Sequence, residues 1–522
     1  MSKNLMFINA SIMTLTSLFL RTTGIMYRSF LSDHVGTEGM GLHTLTLSVF
    51  TFAVTFSTAG INTAVTRLIS EQIGKNAHLS PIPIMRKAFT YAVTVSIAAA
   101  SLLFLFADFL AGSILADPRA SILLKLLAPS LPFMAVSACI KGYFFALRQA
   151  AKPAVSDVIE QFAEMGIFTL AISSLAPYGT TFACAAIVIG TTLSEIASCA
   201  YLLFCYFRHS RKKNSKKPTF ISDPTVKTSI TALLKIAVPV AFSSGIGAGL
   251  RTVENILIPD GLRKNGISHE RALSLYGMVR GMAIPVLFFP YAFLSAFSSL
   301  LIPELSEANV TGNQKRIRYI SSRVIQLTTL LSILVTGIFL IFSEELGLLV
   351  YQSKEIGSII RILAPLTVLM YADAIVDGML KGLDLQVHVL RYNIIDSLIR
   401  IVLIALLVPR YGFSGFMIVM YVSNIFNPVI SIWKLLRTVK IRLDIANLLL
   451  KPILAVAGAS MIVRCLAIVG GADFFAAPFG LTIAIAALCF CYFILLLFMD
   501  CIKEDDILWA VQIFRHPRKE KA

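Results

Sequence analysis

The chain has 522 residues, 57% of them hydrophobic and only 14% charged, where a soluble domain carries roughly 25% charged residues. Apolar runs recur from end to end, which excludes a soluble globular protein. The net charge of +17 is scattered over many short segments instead of one face, which excludes a nucleic-acid footprint and fits positively charged inner loops.

A helix needs about 20 apolar residues to cross the hydrocarbon. Fourteen segments qualify, over roughly 5–31, 41–66, 88–112, 121–147, 153–176, 181–207, 230–258, 272–303, 317–343, 357–380, 388–409, 413–436, 448–469 and 476–499. The expectation is an all-α polytopic membrane protein with fourteen transmembrane helices. The first segment is too long for the apolar region of a signal peptide and lacks a small-residue cleavage site, so it reads as the first span.

In chain order, the first span carries Arg21 and Arg28, and Arg67 lies at the inner end of the second. Glu160 and Glu164 stand at i and i+4 in the fifth, and Glu195 lies in the sixth. Arg208 to Lys217 is a basic, helix-poor linker. Beyond it, Ser243-Ser244-Gly245-Ile246-Gly247-Ala248-Gly249 looks like a phosphate loop. It lacks the Lys-Ser/Thr ending and the soluble setting, so it reads as small residues permitting close helix packing. Arg251 follows, with Glu254 three residues on as an ordinary pairing partner. Arg280 lies in the eighth span, before Pro285 and Pro290. These prolines, with Pro239 and Pro365, predict kinks. Asp373 and Asp377 share one face of the tenth span, within reach of Lys381 or Arg361, and Asp396 can pair with Arg400 at i+4. The eight cysteines form no CxxC pair and read as small buried apolar residues.

With the N-terminus inside, most of the 46 basic residues fall on inner loops and helix ends. Both termini are then cytoplasmic, and Arg21, Arg28, Arg251 and Arg280 come to a similar depth. A cation in hydrocarbon costs several kcal/mol unless it faces water, a partner or a substrate. Such a set predicts a polar interior for something anionic.

The chain also repeats. Leu127-Ala128-Pro129 matches Leu363-Ala364-Pro365, Gly142 matches Gly378, Tyr178-Gly179 matches Tyr411-Gly412, and Leu68-Ile69-Ser70-Glu71 matches Leu301-Ile302-Pro303-Glu304. The offsets stay near 233–236 residues. Both halves begin inside, so the repeat is parallel. This predicts two pseudosymmetric six-helix lobes, 1–207 and 230–436, joined by the basic linker 208–229 and followed by two further helices and a tail in 437–522. Such an architecture belongs to transporters. No Walker motif is present, and no loop is long enough for a soluble catalytic domain, so an enzyme is not expected.

Arg21-Thr22-Thr23-Gly24, Arg28 and Val35-Gly36-Thr37-Glu38-Gly39-Met40-Gly41-Leu42 resemble the R-x-x-G…R…G-x-E-G-x-G-x-Y start of the polysaccharide and lipid-linked oligosaccharide flippases. Phe56 to Ile61, Arg67 to Glu71 and Tyr411 to Gly415 extend the likeness. The branch is that of stage V sporulation protein B, related to the lipid II flippases within the multidrug/oligosaccharidyl-lipid/polysaccharide exporter superfamily. The resemblance implies a flippase in the bacterial plasma membrane, carrying undecaprenyl-pyrophosphate-linked sugars or a peptidoglycan precursor outward by alternating access. It also implies substrate contact by Arg21, Arg28, Arg67 and Arg280, and Arg251 joins them on depth. Asp373, Asp377, Glu160 and Glu164 are candidates for coupling to a cation or proton. No other cofactor and no metal is expected. The partners expected are the lipid-linked substrate and membrane lipids, with the protein a monomer. The competing reading is a multidrug or organic-cation antiporter of the same superfamily.

Overall fold

The computed structural model describes residues 3–75, 81–214, 230–441, 444–470 and 478–501. Among these every regular element is helical. Among the described residues ten helices are long and apolar enough to cross a membrane, or eleven if the bent pair Ala120–Leu127 and Ser130–Ala146 is one span. Two of the ten are much longer than a bilayer: Lys3–Lys75 breaks at Gly36 (φ 69°) and Gln386–Val439 at Gly412 (φ 56°). Both glycines take a left-handed backbone that costs other residues about 1–2 kcal/mol.

Two of the repeated sequence matches carry matching local structure. Leu127-Ala128-Pro129 marks a 42° bend, and Ala364-Pro365-Leu366 forms a 3₁₀ turn between Lys354–Leu363 and Thr367–Gly382. Proline lacks the N–H that would continue the α-helical ladder, so each helix is interrupted there. Likewise Gly179 (φ 105°) and Gly412, each preceded by tyrosine, both adopt positive φ. Pro285 and Pro290 also open new helical segments. Pro239 does not: Ile230–Lys264 runs unbroken through Pro239 and Pro259. A membrane helix absorbs a proline where neighbouring segments and local adjustment satisfy the freed carbonyl.

The basic linker begins later than its charge suggested. Thr180–Asn214 stays helical through Arg208, Arg211 and Lys213, because Lys and Arg are good helix formers and favour a helix C-terminus. The remainder of the linker and the C-terminal tail lie outside the described residues. Cys139, Cys184, Cys199 and Cys501 are buried as expected, but Cys465 is exposed. A helix with one packed face turns its other apolar residues to lipid, so an apolar context does not require burial.

By contacts the chain forms two compact units. One comprises Met6–Gly277 and Arg400–Phe416; the other comprises Met278–Ile399, Met417–Ala522 and Met1–Leu5. The contact boundary therefore falls at Gly277 and not in the 208–229 linker. Backbone packing explains this. A Cβ at Gly60 would strike the Ala237 carbonyl, one at Gly41 the Leu273 carbonyl, and one at Gly277 the Thr37 carbonyl. Residues 237–277 thus lie against residues 37–60 at a separation only glycine permits.

The core of the first unit joins Ile61, Val65, Met85, Tyr143, Phe144, Leu202 and Leu233. The Ser243–Gly249 stretch packs as expected: added methyls at Gly245 and Gly249 would meet Phe56 at 3.7 Å and Phe52 at 3.4 Å. In the second unit, Ala455, Ala459, Leu481, Leu488 and Tyr492 bury against Leu330 and Phe342, with Tyr492 Oη donating to the Leu330 carbonyl at 3.0 Å.

Candidate functional site

In the first unit, Arg21 and Arg28 are exposed on the Lys3–Lys75 helix. Seven residues is close to two turns, so they share a face. Gly24 lies between them, and a Cβ there would sit 3.5 Å from Gln161 Nε2. This turns the face toward the Ala151–Leu175 helix. The charge of Arg28 reaches Glu164 and the buried His43. Tyr27 is buried beside it, edge-on to Phe168 at 5.9 Å. Arg67 stands apart from this arrangement: it is exposed, with Nε 2.8 Å from Glu71 Oε1 on its own helix.

Arg251 is also exposed, and the expected pair with Glu254 does not form. Glu254 is 1% exposed and its Oε2 lies 3.1 Å from Arg400 Nη1. The guanidinium of Arg251 instead lies over Gly247, whose added methyl would be 3.7 Å from Nη1. Helical side chains lean toward the N-terminus, which carries Arg251 away from a partner three residues later. Arg400, in turn, was the expected partner of Asp396, both of whose carboxylate oxygens accept from Ser423 at 3.0 and 3.1 Å.

Glu160 and Glu164 belong to a wider polar group. Thr191 donates to Glu164 Oε1 at 2.9 Å, and Ser198 donates to Glu160 Oε2 at 3.3 Å. Lys141 Nζ lies 2.7 Å from Asp157 and 3.9 Å from Glu160, with Glu195 buried nearby. Lys141 was missed in the sequence because its partners stand on the next helix. Spacing within one helix reveals only i+3 and i+4 partners.

The first unit holds one further cluster with no local sequence signal. Arg119 donates from Nη1 to Glu38 Oε1 at 2.7 Å and from Nη2 to Asp117 Oδ2 at 2.8 Å. His269 Nε2 lies 2.9 Å from the same Asp117 oxygen. The Asp117 carboxylate is 2% exposed and ties its own segment to His269, while Arg119 extends the cluster to Glu38. Burial pushes the Asp117 carboxyl up, but hydrogen bonds from Arg119 and His269 and the Arg119 charge outweigh it. They hold the group below the usual carboxylate range.

The second unit contains Arg280, half-buried on a π-helical turn, Gly277–Ala283. Pro285 lacks an N–H and crowds the Gly281 carbonyl four residues earlier, which favours the wider turn; such turns are frequent at functional sites. Tyr351 Oη donates to the Met282 carbonyl at 3.3 Å, and Tyr371 Oη donates to that of Leu287. These bonds hold the turn from outside its own ladder.

Of the two partners expected for Asp373 and Asp377, on Thr367–Gly382, Arg361 is engaged elsewhere while the Lys381 charge acts on Asp377, and the hydrogen bonds to both carboxylates come from asparagines. Asn427 Nδ2 donates to Asp373 Oδ2 at 3.0 Å and to Asn393 Oδ1 at 3.1 Å. Asn393 Nδ2 donates to Asp377 Oδ2 at 3.3 Å. Arg361 lies 3.2 Å from Glu344 instead. Oδ1 of Asp377 and Oδ1 of Asn427 are buried without a hydrogen-bond partner, leaving oxygen acceptors open in the cluster.

Residues 7–308 match the family described as "Polysaccharide biosynthesis protein". The chain is 25% identical over 397 residues to stage V sporulation protein B of Bacillus subtilis (strain 168), covering 76% of each chain. Among solved structures it resembles the lipid II flippase MurJ in an inward closed conformation, with a TM-score of 0.70 at 14% identity over 94% of this chain and 100% of that one. It also resembles an inward-facing multidrug resistance MATE family transporter of the MOP superfamily, with a TM-score of 0.63 at 14% identity, over 83% of this chain and 98% of that one.

Proposed function

The chain belongs to the polysaccharide biosynthesis protein family, and from that premise we propose that it is a flippase, not an enzyme. It moves an undecaprenyl-pyrophosphate-linked sugar or a peptidoglycan precursor from the inner to the outer leaflet by alternating access. The observation carrying this reading is that Arg21, Arg28 and Arg251 are all exposed on membrane-length helices of one compact unit. Guanidinium forks two hydrogen bonds to phosphate oxygens and stays ionised in a dry setting. Cations kept at such positions suit an anionic headgroup. Arg280, on its π turn, is a further proposed substrate contact; Arg67 is a weaker one because Glu71 already holds it. Similarity to a sporulation protein and the fold shared with a lipid II flippase support the same substrate class.

The reading includes fourteen spans, two six-helix lobes over 1–207 and 230–436, and both termini in the bacterial cytoplasm. The functional form is a monomer. Asp373 and Asp377, or Glu160 and Glu164, take up the coupling cation or proton. The fold shared with a multidrug transporter supports the alternative, export of organic cations, which would place control in the acidic groups.

Reconstituted vesicles loaded with fluorescent undecaprenyl-pyrophosphate sugar separate the two. Wild type should move the lipid, and Arg21→Ala and Arg280→Ala should each slow it by about tenfold or more, the loss of one charge-assisted contact. Equal rates in all three, or no lipid movement alongside cation export, overturns the flippase reading.

A further inference from the structure

The Ile230–Lys264 helix has one face committed to residues 400–409. Glu254, the fully buried Ile258 and Gly261 follow each other at helical spacing on this face. A Cβ at Gly261 would sit 3.0 Å from Val408. Just beyond, Asn265 Nδ2 donates to the Pro409 carbonyl at 3.0 Å. Arg251 lies three residues before Glu254 on the same helix and is exposed. One buried carboxylate thus has two guanidiniums at pairing spacing and is held by only one of them, Arg400.

Its present allocation is specific. Glu254 Oε2 is taken by Arg400 at 3.1 Å, while Oε1 is buried with no hydrogen-bond partner. Arg251 forms no ion pair among the described residues and lies over the bare Gly247. A buried carboxylate that loses its cation is left uncompensated, and Arg251, three residues back on the same helix, stands at the spacing from which a guanidinium can take its place at Glu254.

We propose that Arg400 is a positioning residue: by occupying Glu254 it keeps Arg251 unneutralised and available to a pyrophosphate group. This rests on the anionic-substrate reading above. Arg400 does not touch the anion. It decides whether Arg251 presents a net positive charge or is spent on its own helix.

The test uses the full chain in detergent micelles, with Arg400→Gln, Glu254→Gln and the double variant. Two readouts are taken: affinity for undecaprenyl pyrophosphate, and the rate at which phenylglyoxal modifies Arg251 without ligand, followed by mass spectrometry. Arg400→Gln should weaken binding about tenfold, the scale of one charge-assisted contact, and slow the modification of Arg251. Adding Glu254→Gln should restore both to within about twofold of wild type, a rescue that a merely structural Arg400 would not give. Should Arg400→Gln not fold, Glu254→Gln alone decides: Arg251 should be modified at the wild-type rate, and a sharp acceleration would mean Glu254 already neutralises it. The proposal is overturned by that acceleration, by unaltered labelling in Arg400→Gln, or by a double variant no better than Arg400→Gln. If labelling follows the expected pattern while wild type binds no undecaprenyl pyrophosphate, the exchange of partners stands and the substrate reading fails.

Discussion

Arg119 Nη1 and Glu38 Oε1 are 2.7 Å apart although 81 residues separate them in sequence. The same guanidinium holds the buried Asp117, so one side chain closes two ion pairs. Arg119→Gln should lower stability by about 2–3 kcal/mol, since a buried carboxylate loses its charged donors. Glu38→Gln should cost under about 1 kcal/mol, because that pair is partly solvated. Thermal unfolding of the purified protein in detergent would rank the two; the reverse order would contradict the assignment.

The clasp should also be acid-labile. The folded Asp117 carboxyl lies below its ordinary value, so its contribution is complete above an unfolded pKa of about 3.9 and is lost as pH falls through the lower folded value. Stability attributable to Asp117 should therefore hold from neutrality to about pH 4 and decline below it. Asp117→Asn should begin less stable and show a shallower decline. Melting temperatures from pH 7 to 3 would reveal whether the two curves converge.

Close glycine packing gives a graded series. Gly60→Ala and Gly41→Ala each press a methyl on a backbone carbonyl and should cost about 1–3 kcal/mol. Gly36→Ala meets nothing within 4 Å but has φ 69°, so only left-handed strain of about 1–2 kcal/mol remains. Gly112→Ala has open space and no positive φ and should be neutral or slightly stabilising. Equal losses at Gly60 and Gly112 would refute the packing account.

Transport should distinguish the arginines by their present partners. Arg251→Gln should slow lipid movement about tenfold, a charge-assisted contact being lost. Arg67→Gln should change it less than about threefold, because its exposed i+4 pair with Glu71 is worth only a few tenths of a kcal/mol. Initial rates in vesicles at matched protein density provide the comparison.

Coupling can be assigned by gradients. With open oxygens on Asp377 and Asn427, Asp377→Asn should abolish the stimulation of transport by an imposed sodium or proton gradient while leaving gradient-free exchange within about threefold. Retained stimulation would shift attention to Glu160 and Glu164.

Much of this was legible in sequence because it is local. Helix-length apolar runs, Pro129 and Pro365 at corresponding breaks, and the Tyr-Gly pairs at 178–179 and 411–412 all act within a few residues of themselves. Partner choice was not legible. Glu254 stands three residues from Arg251 and 146 from Arg400, yet tertiary packing selects Arg400. Asp373 likewise accepts from Asn427, 54 residues on. The contact boundary at Gly277 was hidden too, since it depends on which backbones glycine allows to touch.

The glycine breaks at 36 and 412 have a mechanical meaning. One residue of chain spans less than about 4 Å, so the helices meeting at each break are tied there and cannot slide apart. Their permitted relative motion is a swing about the tie, small beside it and growing along the helix. Residues such as Glu38 stay nearly stationary in such a swing, whereas Arg21, about 22 Å or four helical turns from Gly36, is carried through an arc. Helices so tethered move like a pair of compasses, with the fixed point written into the chain as a single missing side chain.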